Sequence, residues 1–129
     1  MRGYLLDTNV ALLAVGTPEL LAASVRTAIE RGPAFLSVVA YWEIAIKSMK
    51  GTLDVGNPVQ WFEQTRDALA LLPLLLRPEH IAALLRLPAI HQDPFDRALI
   101  AQAMSEDLTL LTTDGTIPLY ASGSFCVIR

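Results

Sequence analysis

Apolar runs too short for helices alternate along this chain with longer segments that open on helix caps, and this alternation limits the fold more than any other feature. Gly3 to Leu6, Ala34-Phe35-Leu36, Leu71 to Leu76 bent at Pro73, Leu108 to Thr112, and Phe125-Cys126-Val127-Ile128 read as strands. Apolar strands alternating with helices imply a mostly parallel sheet covered on both faces. The expected architecture is an α/β fold, with residues 1–129 forming one domain.

The helix signals are specific. A polar corner at Asp7-Thr8-Asn9 leads into a helix through Val10 to Leu13. Thr17-Pro18-Glu19 reads as a cap, a first-turn proline and a first-turn acid, predicting a helix that reaches about Arg31 and stops at Gly32-Pro33. Ser37 caps a helix running through Tyr41, Trp42, Glu43 and Lys47 to Gly51. Asn57-Pro58-Val59-Gln60 opens another, with Trp61, Phe62, Thr65, Ala68 and Leu69 on its inner side. Pro78 opens a brief helix carrying Ile81, Leu84 and Leu85, ended by Pro88. Asp93-Pro94 then starts a helix that is apolar almost all round from Ala98 to Met104, as a buried helix would be.

Composition excludes several classes. The chain has 129 residues, is 53% hydrophobic and carries a formal net charge of −3, so no global basic footprint for nucleic acid is present. Ten basic residues, eight of them arginine, can still form a local patch. Mean hydropathy of +0.42 favours a buried sheet. With Cys126 alone there is no internal disulfide, and with only His80 and His91 beside it a structural zinc site is not expected. Asp7 interrupts the apolar start, so no signal peptide is expected. The longest apolar run, Ala68 to Leu76, is too short to span a bilayer, so no membrane association is expected.

Functional groups of open parallel sheets collect beyond the carboxyl ends of the strands. Asp7 and Asp114 follow strands there, and Glu43 and Asp96 sit early in helices that adjoin the same edge. Each acid also has a local explanation. Asp7 can cap a helix, Glu43 can pair with Lys47 one turn on, Asp93 and Asp96 can form a capping box, and Asp114-Gly115 is a common turn. Taken together, four acids at one edge point to a site. Carboxylates packed together repel unless a cation neutralises them, and hard oxygen ligands suit Mg2+ or Mn2+. Thr8 and Thr112, like Thr113, flank Asp7 and Asp114 and can orient ligands or water. Asn9, Arg97 and His91 are either supporting groups or plain surface and loop residues.

Tyr4-Leu5-Leu6-Asp7-Thr8-Asn9, the segment Ser37 to Lys47 with Trp42-Glu43-Ile44-Ala45, His91 to Ala103 with Asp93-Pro94-Phe95-Asp96-Arg97, and Leu108 to Asp114 together resemble PIN-domain ribonucleases. The resemblance is to VapC-type toxins of bacterial toxin–antitoxin modules and runs over essentially the whole chain. It implies a Rossmann-like three-layer α/β/α sandwich with a short, mostly parallel sheet. It also implies Mg2+- or Mn2+-dependent endonucleolytic cleavage of RNA, leaving a 5′-phosphate and a 3′-hydroxyl. The family's catalytic and metal-ligating acids fall on Asp7, Glu43, Asp96 and Asp114, while Asp93 belongs to the family string as a cap or a ligand. The partners implied are an RNA substrate (tRNA, rRNA or mRNA) and a cognate antitoxin, with a homodimer or an antitoxin-bound hetero-oligomer in the cytoplasm. Thr113 departs from the family, which often has a basic or polar residue there. Grip on RNA would then rest on the metal with Lys47, Lys50, Arg97 and Arg77. Two rival readings remain. One is a non-catalytic α/β interaction module whose acids only cap helices and turns; the other is a phosphotransferase using Asp7 as nucleophile.

Overall fold

In the computed structural model, residues 3–89 and 93–114 and the backbone of Cys126–Ile128 are described; His91, Gly115 and Phe125 lie outside them. Five strands form one sheet: β1 Tyr4–Leu6, β2 Ala34–Ser37, β3 Leu72–Leu74, β4 Thr109–Leu111 and β5 Cys126–Ile128. Their order is β3-β2-β1-β4-β5, and every neighbouring pair is parallel. Among the described residues six α-helices connect and cover them: α1 Thr8–Gly16, α2 Ala23–Arg31, α3 Val38–Met49, α4 Pro58–Leu69, α5 Pro78–Leu84 and α6 Pro94–Glu106.

The period-2 geometry of the strands sends successive side chains to opposite faces. Leu5 and Leu110 join Leu99, Ile100, Ala103 and Ala83 in a core beneath α5 and α6. Leu6, Leu36 and Leu111 join Val10, Val25, Ile44, Trp61 and Phe62 in a second core beneath α1 to α4. Leu5, Leu6, Leu110 and Leu111 are fully buried, so both faces of the central strands are covered and the sandwich has three layers. At the entry to β1 a Cβ on Gly3 (φ +145°) would lie 2.5 Å from the Pro33 carbonyl oxygen, so only glycine fits where β1 meets β2.

The strand order sets the site. From β1 the chain winds outward through β2 to β3, then crosses back to β4 on the other side of β1. The switch point lies between β1 and β4, and ligand crevices of open α/β sheets form outside the carboxyl ends of the strands at that place.

Several expectations need correction. Thr17 does not cap the next helix. Its backbone N–H donates to the Leu13 carbonyl (2.8 Å) and so closes α1. Pro18–Leu20 forms only a short 3-10 turn; Leu21 then extends to bury its side chain, and α2 starts afresh at Ala23. The run Leu71 to Leu76 is not a buried strand. β3 is an edge strand, where Pro73 is tolerated because its missing N–H faces no partner, and Leu72, Leu75 and Leu76 are exposed. α5 ends at Leu84 and buries His80 and Ala83, whereas Ile81 and, just past its end, Leu85 are exposed. Ala68 is exposed on α4, whose buried side is Trp61, Phe62 and Thr65.

Candidate active site

Asp7 is the first residue after β1, and its conformation is that of a helix N-cap. Its Oδ1 accepts from the Val10 N–H (2.8 Å). Its Oδ2 accepts from the Thr112 hydroxyl just beyond β4, and that hydroxyl accepts in turn from the Asp114 N–H (2.9 Å). The two strands flanking the switch point are thereby linked through Asp7 and Thr112, with the Asp114 backbone tied to the same hydroxyl. Asp7 is 4% exposed. Burial pushes its carboxyl above the ordinary aspartate range, opposed by the hydrogen bonds from Thr112 and the Val10 and Thr113 backbone, while the nearby Glu43 charge adds to the rise.

Glu43 reaches the same place from α3. It is also 4% exposed, and both its oxygens are engaged: Oε1 accepts from the Thr8 hydroxyl (2.6 Å) and Oε2 from Lys47 Nζ (2.7 Å). A buried carboxylate is tolerable when paired and hydrogen-bonded in this way. The Lys47 ammonium is held in its charged form, first by the hydrogen bond to Glu43 and further by the charges of Glu43, Asp93 and Asp96, against a smaller effect of burial. Asp93 caps α6, its Oδ1 accepting from the N–H groups of Phe95 (2.9 Å) and Asp96 (3.1 Å). This cap starts α6 so that Asp96 stands in its first turn.

Asp7, Thr8, Asn9, Glu43, Lys47, Asp93, Asp96 and Asp114, together with Leu12 and Thr113, line one pocket of about 340 Å3. The interaction-module reading requires the acids to lie apart, but Asp7, Glu43, Asp96 and Asp114 share this one cavity. Their local roles are nevertheless real. Asp7 and Asp93 are caps and Glu43 is paired with Lys47, so the same residues that shape the backbone also furnish the pocket. At the rim Asn9 Nδ2 donates to Thr113 Oγ1 (2.8 Å), giving Thr113 a structural tie between α1 and the end of β4.

Arg97 lies outside this lining; its guanidinium donates to the carbonyls of Pro88 (2.9 Å) and Leu84 (3.5 Å) and ties α6 to the end of α5. Arg77 sits 3.9 Å from Glu106 at the other end of α6. Among the described lining residues Lys47 is the one base.

The donor set fits a hard divalent ion. It consists of carboxylates and hydroxyls, with acids outnumbering the single lysine. Among the described residues no three acidic, histidine or cysteine side chains converge as a ready-made cage. Mg2+ does not require such a cage, since it is held through one or two carboxylates and keeps several waters.

A polar chain that no sequence motif announces links the end of β2, α5 and α6. The Ser37 hydroxyl donates to Gln102 Oε1 (2.6 Å), Gln102 Nε2 donates to the Leu75 carbonyl (3.3 Å), and His80 Nε2 meets Glu106 (2.8 Å). A lone Gln102 between Ala101 and Ala103 is the one signal of it, because a polar residue on an otherwise apolar helix needs a buried partner.

Fold and site together define an α/β domain with an acidic pocket at the switch point of a parallel sheet. The model of the PIN domain matches residues 4–121, and the chain belongs to that family. No curated protein matches the chain. Among solved structures it is similar to VapBC from Salmonella typhimurium bound to DNA, with TM-score 0.70 and 14% identity over 99% of this chain and 98% of that one. VapBC2 from Rickettsia felis, bound to a promoter DNA fragment, gives TM-score 0.69 and 14% identity, covering 97% and 96%. VapBC-5 from Mycobacterium tuberculosis gives TM-score 0.63 and 18% identity, covering 100% and 99%. These are likenesses of fold. Among the described residues no helix is long and apolar enough to cross a membrane.

Proposed function

We propose that the chain is a VapC-type toxin: a Mg2+- or Mn2+-dependent endoribonuclease, silenced by a cognate antitoxin. The observation that carries this reading is the convergence of Asp7, Glu43, Asp96 and Asp114 on one pocket at the switch point of a PIN fold. These four carboxylates would furnish the ion's site, one or two binding it directly and the others through its waters, with Asp93 shaping the start of α6. A bound divalent ion supplies an acidified water for in-line attack and charge stabilisation of the phosphodiester.

The remaining work belongs to the chain's own groups. Thr112 orients Asp7, and Thr8 with Lys47 fixes both oxygens of Glu43, so neither carboxylate is free to rotate. Lys47 keeps a positive charge on the pocket wall, where a phosphate oxygen can meet it. Lys50, on the residue that closes α3, adds a second exposed cation nearby in sequence. So sparse a basic surface favours an RNA recognised by its shape and unpaired bases over one gripped along its backbone. Such an enzyme acts in the cytoplasm on tRNA, rRNA or mRNA, as a homodimer or an antitoxin-bound hetero-oligomer. The presence of an antitoxin in the VapBC complexes of like fold supports that partner.

Purified protein incubated with total RNA is expected to produce fragments with 5′-phosphate and 3′-hydroxyl ends when Mg2+ or Mn2+ is supplied, and none with a chelator. Cleavage that persists in the chelator would sink the mechanism. Expression of the chain alone is expected to arrest growth. Co-expression with a small protein encoded beside it should relieve the arrest and yield a complex; failure of both would count against the antitoxin.

A further inference from the structure

We infer that Gln102 is a positioning residue for the acidic pocket, acting through a buried tie to Ser37 that holds α6 against β2 and α3. The inference rests on the proposed metal site. Ser37 and Gln102 are both fully buried. Ser37 ends β2 and caps α3, its Oγ accepting from the Val39 N–H (2.9 Å) while its own proton goes to Gln102 Oε1 (2.6 Å). The amide orientation is forced, because the Leu75 carbonyl can only accept and so must face Gln102 Nε2 (3.3 Å). His80 backs the amide. Its Nδ1 accepts from the Arg77 N–H (3.0 Å) and lies 3.4 Å from Gln102 Nε2, while its Nε2 is fixed by Glu106.

This tie is placed where it controls the pocket. Glu43 follows Ser37 along α3, and Gln102 follows Asp96 along α6, at the same interval of fewer than about two helical turns. One directional hydrogen bond, from the cap of α3, therefore joins the two helices that carry Glu43 and Asp96, and the Trp42–Phe95 contact (5.0 Å, 84°) joins them again beside those acids. A leucine at position 102 would fill the space, but it would strip the buried Ser37 hydroxyl and the Leu75 carbonyl of this partner. The amide adds directional bonds to the apolar packing and so helps to set the register of one helix against the other. Metal ligands need their geometry held to about 0.5 Å, so slippage between α3 and α6 is read out as ion affinity.

The test is Mn2+ binding by the full chain, followed by the electron paramagnetic resonance signal of the free ion. Gln102→Leu and the milder Gln102→Asn are each expected to weaken binding about tenfold, at the lower end of what outer partners of metal ligands contribute. Val25→Ala, in the core beneath α2, serves as the control; it should lower the melting temperature yet leave Mn2+ affinity in place. Unchanged affinity in the Gln102 variants overturns the inference, as does an equal loss in Val25→Ala, which would mean that general loosening is responsible. Failure of both Gln102 variants to fold also overturns it, since the tie would then serve the fold and not the pocket. A wild-type chain that binds no Mn2+ overturns the metal-site reading itself, which separates that failure from failure of the tie alone.

Discussion

Asp7→Asn is expected to cut RNA cleavage by about 10²–10³-fold, the scale found when one preorganised electrostatic group is removed, and yet to raise the melting temperature of the metal-free protein at neutral pH. The two effects share a cause. Asparagine is as good an N-cap as aspartate, so the bond to the Val10 N–H survives. The Thr112 hydroxyl, which donates to the carboxylate, can rotate and accept from the new amide instead. What disappears is a buried negative charge close to Glu43. Because the folded state raises the Asp7 pKa, it favours the protonated form. The stability from that preference is fully present below the unfolded pKa and is lost as pH rises through the folded one. At neutral pH the wild type bears that cost and the variant does not; at acid pH, with Asp7 protonated in both states, the two melting curves should converge. Melting in a chelator across the acid-to-neutral range, beside an RNA cleavage assay with Mg2+, reads both halves. A variant that cleaves within a few-fold of wild type would remove Asp7 from the chemistry. One that melts lower at neutral pH would show that hydrogen bonding to the carboxylate outweighs its burial.

The same overlap of cap and site explains which parts of the molecule are legible in its sequence. Asp7, Asp93 and Asp96 stand out because helix starts adjoin the carboxyl edge of a parallel sheet, where caps and ligands want the same short acidic side chains, whereas Glu43 stands out as an acid in the apolar middle of α3. Strand alternation is equally plain, since Leu5, Leu6, Leu110 and Leu111 are apolar towards both faces. Features decided by contacts between distant segments are not legible. The bond from Ser37 to Gln102 spans two separate stretches of chain, and although Ser37 is legible as a cap, nothing local names Gln102 as its partner. Arg97 sits beside Asp96 in sequence, yet its guanidinium turns to the carbonyls of Pro88 and Leu84. The apolar run around Pro73 has the composition of a buried strand, because local composition does not tell a central strand from an edge.

Saturating Mn2+ is expected to raise the melting temperature of the wild type, and Asp96→Asn should abolish most of the rise. Acids crowded into one pocket oppose one another in the metal-free protein, as the raised Asp7 pKa records through its Glu43 contribution. An ion that binds only the folded state stabilises it by about 2.7 kcal/mol at a hundredfold excess over its dissociation constant, or roughly 8–13 °C for a chain of intermediate size. Asp96 lies in the first turn of α6, so its replacement by Asn removes a favourable dipole interaction of about 0.3–1 kcal/mol and changes the metal-free melting temperature little. The two contributions therefore separate within a single pair of melting curves, recorded with chelator and with Mn2+. Acidification provides an independent check. Protons compete with the ion for Asp7, and because its pKa is raised, the Mn2+-induced rise should begin to fade at a pH above the ordinary aspartate range. Equal Mn2+ stabilisation of wild type and Asp96→Asn would place the ion away from α6. A rise that held undiminished through acid pH would place it away from Asp7.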